Sequence, residues 1–167
     1  QIGSNCGAVG INAAVDVSGT SFWMSDESFF MFDGSVKKIP CSVQDHVFDN
    51  INANAKQDVF CAANADFNEV MWFYPSSGSD QIDRVVIFNY AENLWYVGTL
   101  ARSSWADSGV YPVPYAAEFE ASDTTASIST INGLKAGRTF VYLHETGVND
   151  DGAAMANHIE SGDVDIA

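Results

Sequence analysis

Between Thr20 and Cys41 the chain reads TSFWMSDESFFMFDGSVKKIPC, three short apolar runs cut by Ser-Asp-Glu-Ser and by Asp33-Gly34. Runs of this length cannot carry the 3.6-residue stripe of a helix, but each is long enough for a half-buried strand. Asp-Gly between two such runs is a hairpin signal, because both residues tolerate the positive φ of a type I′ turn. The expectation for 20–41 is therefore a three-stranded antiparallel meander.

Pro40 closes that unit, and SVQDHVFDNINANAK follows with Ser42 three residues before Asp45, a pattern like a capping box. Val43, Val47, Phe48, Ile51 and Ala55 recur near the helical period, which predicts one short helix at about 42–56 docked through Val47, Phe48 and Ile51. Strand patterns then resume in DVFCAANADF, EVMWFYP, DRVVIFNY and LWYVGTL, with large side chains on both faces of EVMWFYP and DRVVIFNY. A strand with two apolar faces belongs between two sheets. The third unit is looser: VYPVPYAAEF, ASISTI, GRTFVYLHE and AMANHIE, with turns expected at Asn132-Gly133, Ala136-Gly137 and Asp151-Gly152.

The Trp-bearing run, turn and aromatic run of 21–34 return in EVMWFYPSSGSDQIDRVVIFNY at a spacing of about 50 residues, within the period of propeller blades. Scarce leucine and abundant Val, aromatic, Ser, Asn and Gly residues favour the same class. The fold expected is mainly β: a β-propeller-like array of antiparallel meander blades with one short helix. Its blade-like units are about 20–41, 58–100 and 110–160, within a single domain spanning 1–167 or part of one.

A formal net charge of −15, from 22 acids against 7 bases, argues against ordinary nucleic-acid binding, which needs cations to release phosphate counterions. Such a surface instead suits a wall past which DNA moves without sticking. Cys6, Cys41 and Cys61 are odd in number and lack C-x-x-C spacing, so free thiols are expected. There is no uninterrupted apolar run of membrane-spanning length and no membrane anchor is expected. The start at Gln1 and the end at Ile166-Ala167 suggest a piece of a longer chain.

Catalytic and metal constellations are weak. Acid pairs for glycoside cleavage abound, but most of these acids sit in turn sequences such as Asp33-Gly, Asp107-Ser-Gly and Asp150-Asp151-Gly. Asp107-Ser-Gly109 matches only the middle of the Asp box of sialidase-like propellers, with Trp105 and Tyr111 at the flanking positions. GVNDDGAA fails as an EF-hand loop because Gly147 occupies the first ligand position, and His46, His144 and His158 show no ligand or triad spacing. No catalytic residue, cofactor or metal is expected. Trp72, Trp95 and Trp105 are expected to be largely buried, with the Arg102 guanidinium stacked on an indole or paired with an acid.

SNCG at 4–7, FWMS with FFMFDG and IPC at 22–41, VFDNIN at 47–52, FNEVMWFYPS at 67–76, DRVVIFNYAENLWYVGTLARSSWAD at 83–107, and HETGVNDDG with IESGDVDI at 144–166 carry a resemblance. In order and spacing this succession resembles the tail nozzle or hub (tail tubular) proteins of tailed bacteriophages, over nearly the whole chain. The stretch 121–138 departs from the pattern, and chains of that family are longer.

The resemblance implies a structural virion protein of the tail, assembled in the host cytoplasm, with no enzymatic activity. It also implies a homohexameric ring that meets portal, adaptor and tail fibre proteins and passes DNA without tight binding. Its signature falls on Trp23, Asp33, Gly34, Trp72, Asp83, Arg84, Trp95, Arg102, Trp105, Asp107, Glu145 and Gly147. Two rivals remain on sequence grounds: a carbohydrate-binding or carbohydrate-cleaving propeller module of a tail tip, and a protein-binding propeller scaffold.

Overall fold

The computed structural model describes residues 6–109, 111–121, 137–147, 149–150 and 153–154. They form a mainly β structure of antiparallel sheets with one α-helix. The first sheet runs in chain order through β1 (Ala14–Val17), β2 (Thr20–Met24), β3 (Phe29–Phe32) and β4 (Val36–Ile39). It is a four-stranded meander, one strand more than expected. β1 was not anticipated because its hairpin turn is Ser18-Gly19, where φ is 52° and 82° and Val17 faces Thr20 across the turn. Positive φ at both positions is what a type I′ turn requires.

Asp33-Gly34, the expected type I′ turn, is a different connection. Phe32 pairs with Val36, which leaves three residues in the loop, and only Gly34 takes positive φ, at 113°. Asp33 instead accepts a bond from Lys37, whose ammonium holds the carboxyl below its usual range.

The helix α1 (Gln44–Asn50) is half the expected length. Val43 occupies the N-cap position and no side chain caps the helix, so the Ser42/Asp45 capping box does not form. The C-terminal end is set by tertiary bonds. Asn52 N donates to Pro75 O at 2.9 Å and Ser77 N to Asn50 O at 2.5 Å, while Asn52 Oδ1 accepts from Asn54 N at 3.0 Å. Asparagine side chains that bond their own backbone compete with helix continuation. The docking residues are as expected: Val47 and Ile51 are buried, and the Phe48 ring lies 5.3 Å from that of Phe29.

The second sheet, β5 (Phe60–Asn64), β6 (Glu69–Tyr74), β7 (Arg84–Asn89) and β8 (Leu94–Thr99), is again a four-stranded meander in chain order. It matches the unit expected at 58–100. Val70, Trp72, Tyr74, Val86 and Phe88 face the first sheet and α1, in one cluster with Phe22, Met24, Phe29 and Val47. Met71, Phe73, Val85 and Ala62 point the opposite way and pack with Trp105. The second sheet is therefore a middle layer, and the two-faced alternation of VMWFY has its physical reason.

The third sheet has the order β11 (Gly137–Leu143), β10 (Tyr115–Ala121), β9 (Ser104–Ala106). It starts at Ser104, earlier than the 110 expected, because the three-residue strand Ser-Trp-Ala pairs with Tyr115–Ala117. A short ladder joins β12 (Asn149–Asp150) to β13 (Ala153–Ala154). The strand ASISTI, most of AMANHIE, and the turns expected around Asn132, Ala136 and Asp151 lie outside the described residues.

First strands of successive sheets adjoin. Asn12, just before β1, forms a parallel bridge with Phe60, and Cys61 N donates to Asn12 O at 2.7 Å. β5 in turn lies against β9. The approach of the arm before β1 depends on Gly10, where a Cβ would sit 2.7 Å from the Gln57 carbonyl oxygen. Among the described residues no helix is long and apolar enough to cross a membrane.

Candidate functional site

The expected signature residues divide among three places. Trp23 and Asp33-Gly34 belong to the first sheet, where Trp23 is half-buried, stacks on Phe30 at 5.7 Å and donates from Nε1 to Cys6 O at 2.7 Å. Trp72, Asp83, Arg84 and Trp95 belong to the second. Trp72 is fully buried and its Nε1 donates to Ala13 O, tying the second sheet to the first. Asp83 clamps the β6–β7 connection, accepting from Ser76 N and Ser76 Oγ at 2.7 Å each, and Arg84 reaches across to Thr99 Oγ1 at 2.8 Å.

Trp95 and Trp105 are half-buried, less enclosed than expected. They also lie on opposite sides of the second sheet. Trp95 meets Phe29, Trp72 and Phe88 and donates to Pro40 O, whereas Trp105 meets Phe73 and His144. Rings on opposite faces of a sheet cannot stack on the same sugar, so the Trp-Arg-Trp segment forms no shared aromatic platform.

Arg102 is 7% exposed and sits where the chain passes from the second sheet to the third. Its Nη1 donates to Glu118 Oε2 at 2.7 Å, its Nε to His144 Nε2 at 3.0 Å, and its guanidinium lies 4.1 Å from the centre of the Tyr142 ring. Pairing with an acid was expected; the stacking partner is a tyrosine rather than an indole. A planar guanidinium can pair with a carboxylate through its edge while laying its flat face on a ring, and an ammonium has no such face to stack. A recess of about 130 Å³ opens beside it, lined by Asp58, Asp80, Gln81 and Glu118, and these acids disfavour an anionic ligand.

The remaining signature acids, Asp107 and Glu145, converge on the turn between β5 and β6. Asp107 Oδ2 accepts from Ala65 N at 3.0 Å and its Oδ1 from Ser108 N at 2.8 Å, while Ser108 Oγ donates to Asp66 Oδ2 at 2.6 Å. Glu145, at φ 56° and two residues before Gly147 at φ 75°, reaches Asn64. Asn64 is 1% exposed, and its Nδ2 lies 3.2 Å from Glu145 Oε1 and 3.2 Å from Glu69 Oε2. Burial pushes the Glu69 carboxyl above its usual range, the Asn64 bond opposes this and the charge of Glu145 adds to it. Sequence reasoning missed Asn64 and Glu69, whose only signal was an acid and an amide flanking a turn.

The free thiols Cys41 and Cys61 lie against the core. Burial pushes Cys41 up to about 11 and Cys61 well above the usual thiol range, so both are poor nucleophiles at neutral pH. Among the described residues no three or more His, Cys, Asp or Glu side chains gather around one point where an ion could sit. No family model matches the chain, and no curated protein matches it.

Proposed function

We infer that the chain is a structural component of a phage tail nozzle, contributing blade-like layers to a ring around the DNA ejection channel. The observation that carries this reading is the layering: successive antiparallel meanders stack face to face with their first strands adjoining. This layering is compatible with neighbouring propeller blades, whose sheets repeat radially around a central channel. The net charge of −15 supports the same reading, since a channel wall must not retain the polyanion that passes it. The polar constellations described above fasten layers together, which suits a scaffold.

Two experiments test it. Immunogold labelling of intact virions with antibody against the chain places the label at the tail below the portal; label elsewhere, or none, overturns the reading. A duplex-DNA binding series from low to high salt shows no complex with the chain. A salt-sensitive complex means that the few cations converge into a basic patch, and the smooth channel wall is then wrong.

A further inference from the structure

We propose that the free edge of β8 is a docking site for a second copy of this chain, whose own β8 pairs with it antiparallel across a two-fold axis at Val97. β8 ends the second sheet, so its backbone has a partner strand on one side only. The ladder shows which groups are left over. Leu100 N donates to Asp83 O at 3.2 Å and Tyr90 N to Asn68 O at 3.0 Å, so the odd-numbered residues of β7 bond β8 and the even-numbered ones bond β6. The odd residues of β7 face Leu94, Tyr96 and Gly98, which turns the N–H and C=O groups of Trp95, Val97 and Thr99 outward. Among the described residues no backbone bond uses them.

Exposed strand edges are ordinarily guarded by charge, proline or a bulge. β4, the last strand of the first sheet, carries Lys37 and Lys38. β8 reads LWYVGT, with no charged residue and no break in its register, and Leu94, Tyr96 and Val97 are 48%, 46% and 41% exposed. Charge then selects the occupant. Two copies at −15 each repel over most of their surfaces, whereas residues 93–101 contain no charged side chain and let the copies meet without opposing acids. The register follows from where the strand stops. Asn93 has φ 56°, which ends the extended run, so only a centre on Val97 uses all three outward residues in full. Val97 then pairs with the partner's Val97, Trp95 with the partner's Thr99, and Thr99 with the partner's Trp95, at two bonds a pair. Tyr96 comes to lie beside the partner's Gly98, where the missing side chain leaves room for the ring. At one bond per 100–200 Å² such an interface buries about 600–1,200 Å², so the dimer is weak, with Kd on the order of 10–100 µM. The pairing is independent of the nozzle reading and leaves β5, at the opposite edge of the sheet, untouched.

Sedimentation equilibrium of the chain from about 5 to about 500 µM should show a monomer–dimer equilibrium. Val97→Lys and Val97→Glu, at an exposed position, should each keep the parent circular dichroism and sediment as monomers, because like charges then oppose each other on the axis. An equimolar mixture of the two should regain the dimer, since lysine then faces glutamate. Hydrogen exchange of the parent chain supplies a readout that needs no variant. The amides of Trp95, Val97 and Thr99 should exchange about fivefold more slowly at the top of that concentration range than at the bottom, with those of β2 unchanged. Four results overturn the proposal. They are a monomer at every concentration, which leaves the edge to a strand of another protein; self-association undiminished in Val97→Lys; no dimer in the mixture; and exchange at the outward amides that ignores concentration.

Discussion

Arg102 concentrates more of the fold's polar bonding than any other cation described. Its charge is nearly enclosed, so what matters on substitution is the carboxylate left behind. Arg102→Ala strands Glu118, whose side chain keeps 19% exposure, and removes the face packed on Tyr142. The expected loss is about 3 kcal/mol, the low end for breaking an enclosed pair, because Glu118 retains some water. Arg102→Lys should lie between, since an ammonium keeps the charge and loses the ring stacking. Urea midpoints of the three proteins check this order, and equal stability of Arg102→Ala and the parent chain would show that the pair contributes nothing. The Glu69 carboxyl gives the fold a pH dependence. Its folded carboxyl titrates above its unfolded value of about 4.5, so the folded state holds the proton more tightly. Its contribution to stability is thus present below the unfolded value and is lost as pH rises through the folded one. Glu69→Gln should gain relative to the parent chain between pH 4 and pH 7. A constant difference across that range would contradict the burial and the Glu145 charge as the cause.

Among elements, those with a strong period were legible and those fixed by partners were not. The second sheet could be read because EVMWFYP and DRVVIFNY alternate over full strands, and each face meets its own layer. β9 could not, since Ser104–Ala106 has no period of its own and is a strand only through its pairing with β10. The helix was placed correctly but drawn too long, because an apolar period says nothing about Asn52 bonding Pro75 and Asn54. The Asn64 contact was invisible for a similar reason: Asn64 and Glu145 are 81 residues apart and meet only after the second and third sheets are built. Turn chemistry offers a direct check. Ser18 at φ 52° is in a conformation that asparagine adopts more readily, and Gly19 already follows it. Ser18→Asn should therefore stabilise by about 0.5 kcal/mol, within the range of comparable turn improvements, and leave the β1–β2 register unchanged. A fall in the melting midpoint would mean that the turn is held in its shape by something other than its own φ preference.

At the scale of the whole molecule, the layers are unequally fastened among the described residues. The interface between the first and second sheets is a cluster of thirteen buried residues that includes Phe22, Phe29, Trp72 and Phe88, extended by α1. On the face turned to the third sheet, the second sheet has four buried residues among the described residues, with Trp105 and Leu100 partly enclosed beside them and polar bonds at Arg102 and Asn64. Apolar burial stabilises by roughly 25 cal/mol per Å², so the larger cluster dominates, and polar bonds at a partly wet seam add little per bond. The third sheet should accordingly open as a unit before the other two. Native-state hydrogen exchange tests this. Amides of β6 and β7 should exchange only with global unfolding, and those of β10 facing β11 at a lower free energy. Two neighbours on one strand sharpen the experiment, because Trp72 and Phe73 point to opposite interfaces. Phe73→Leu should speed exchange in β10 and leave β2 and β3 protected, whereas Trp72→Phe should loosen β2 and β3 as well. If both substitutions raised exchange uniformly over all three sheets, the chain would be one cooperative block. Separable layers would then give way to a single indivisible core.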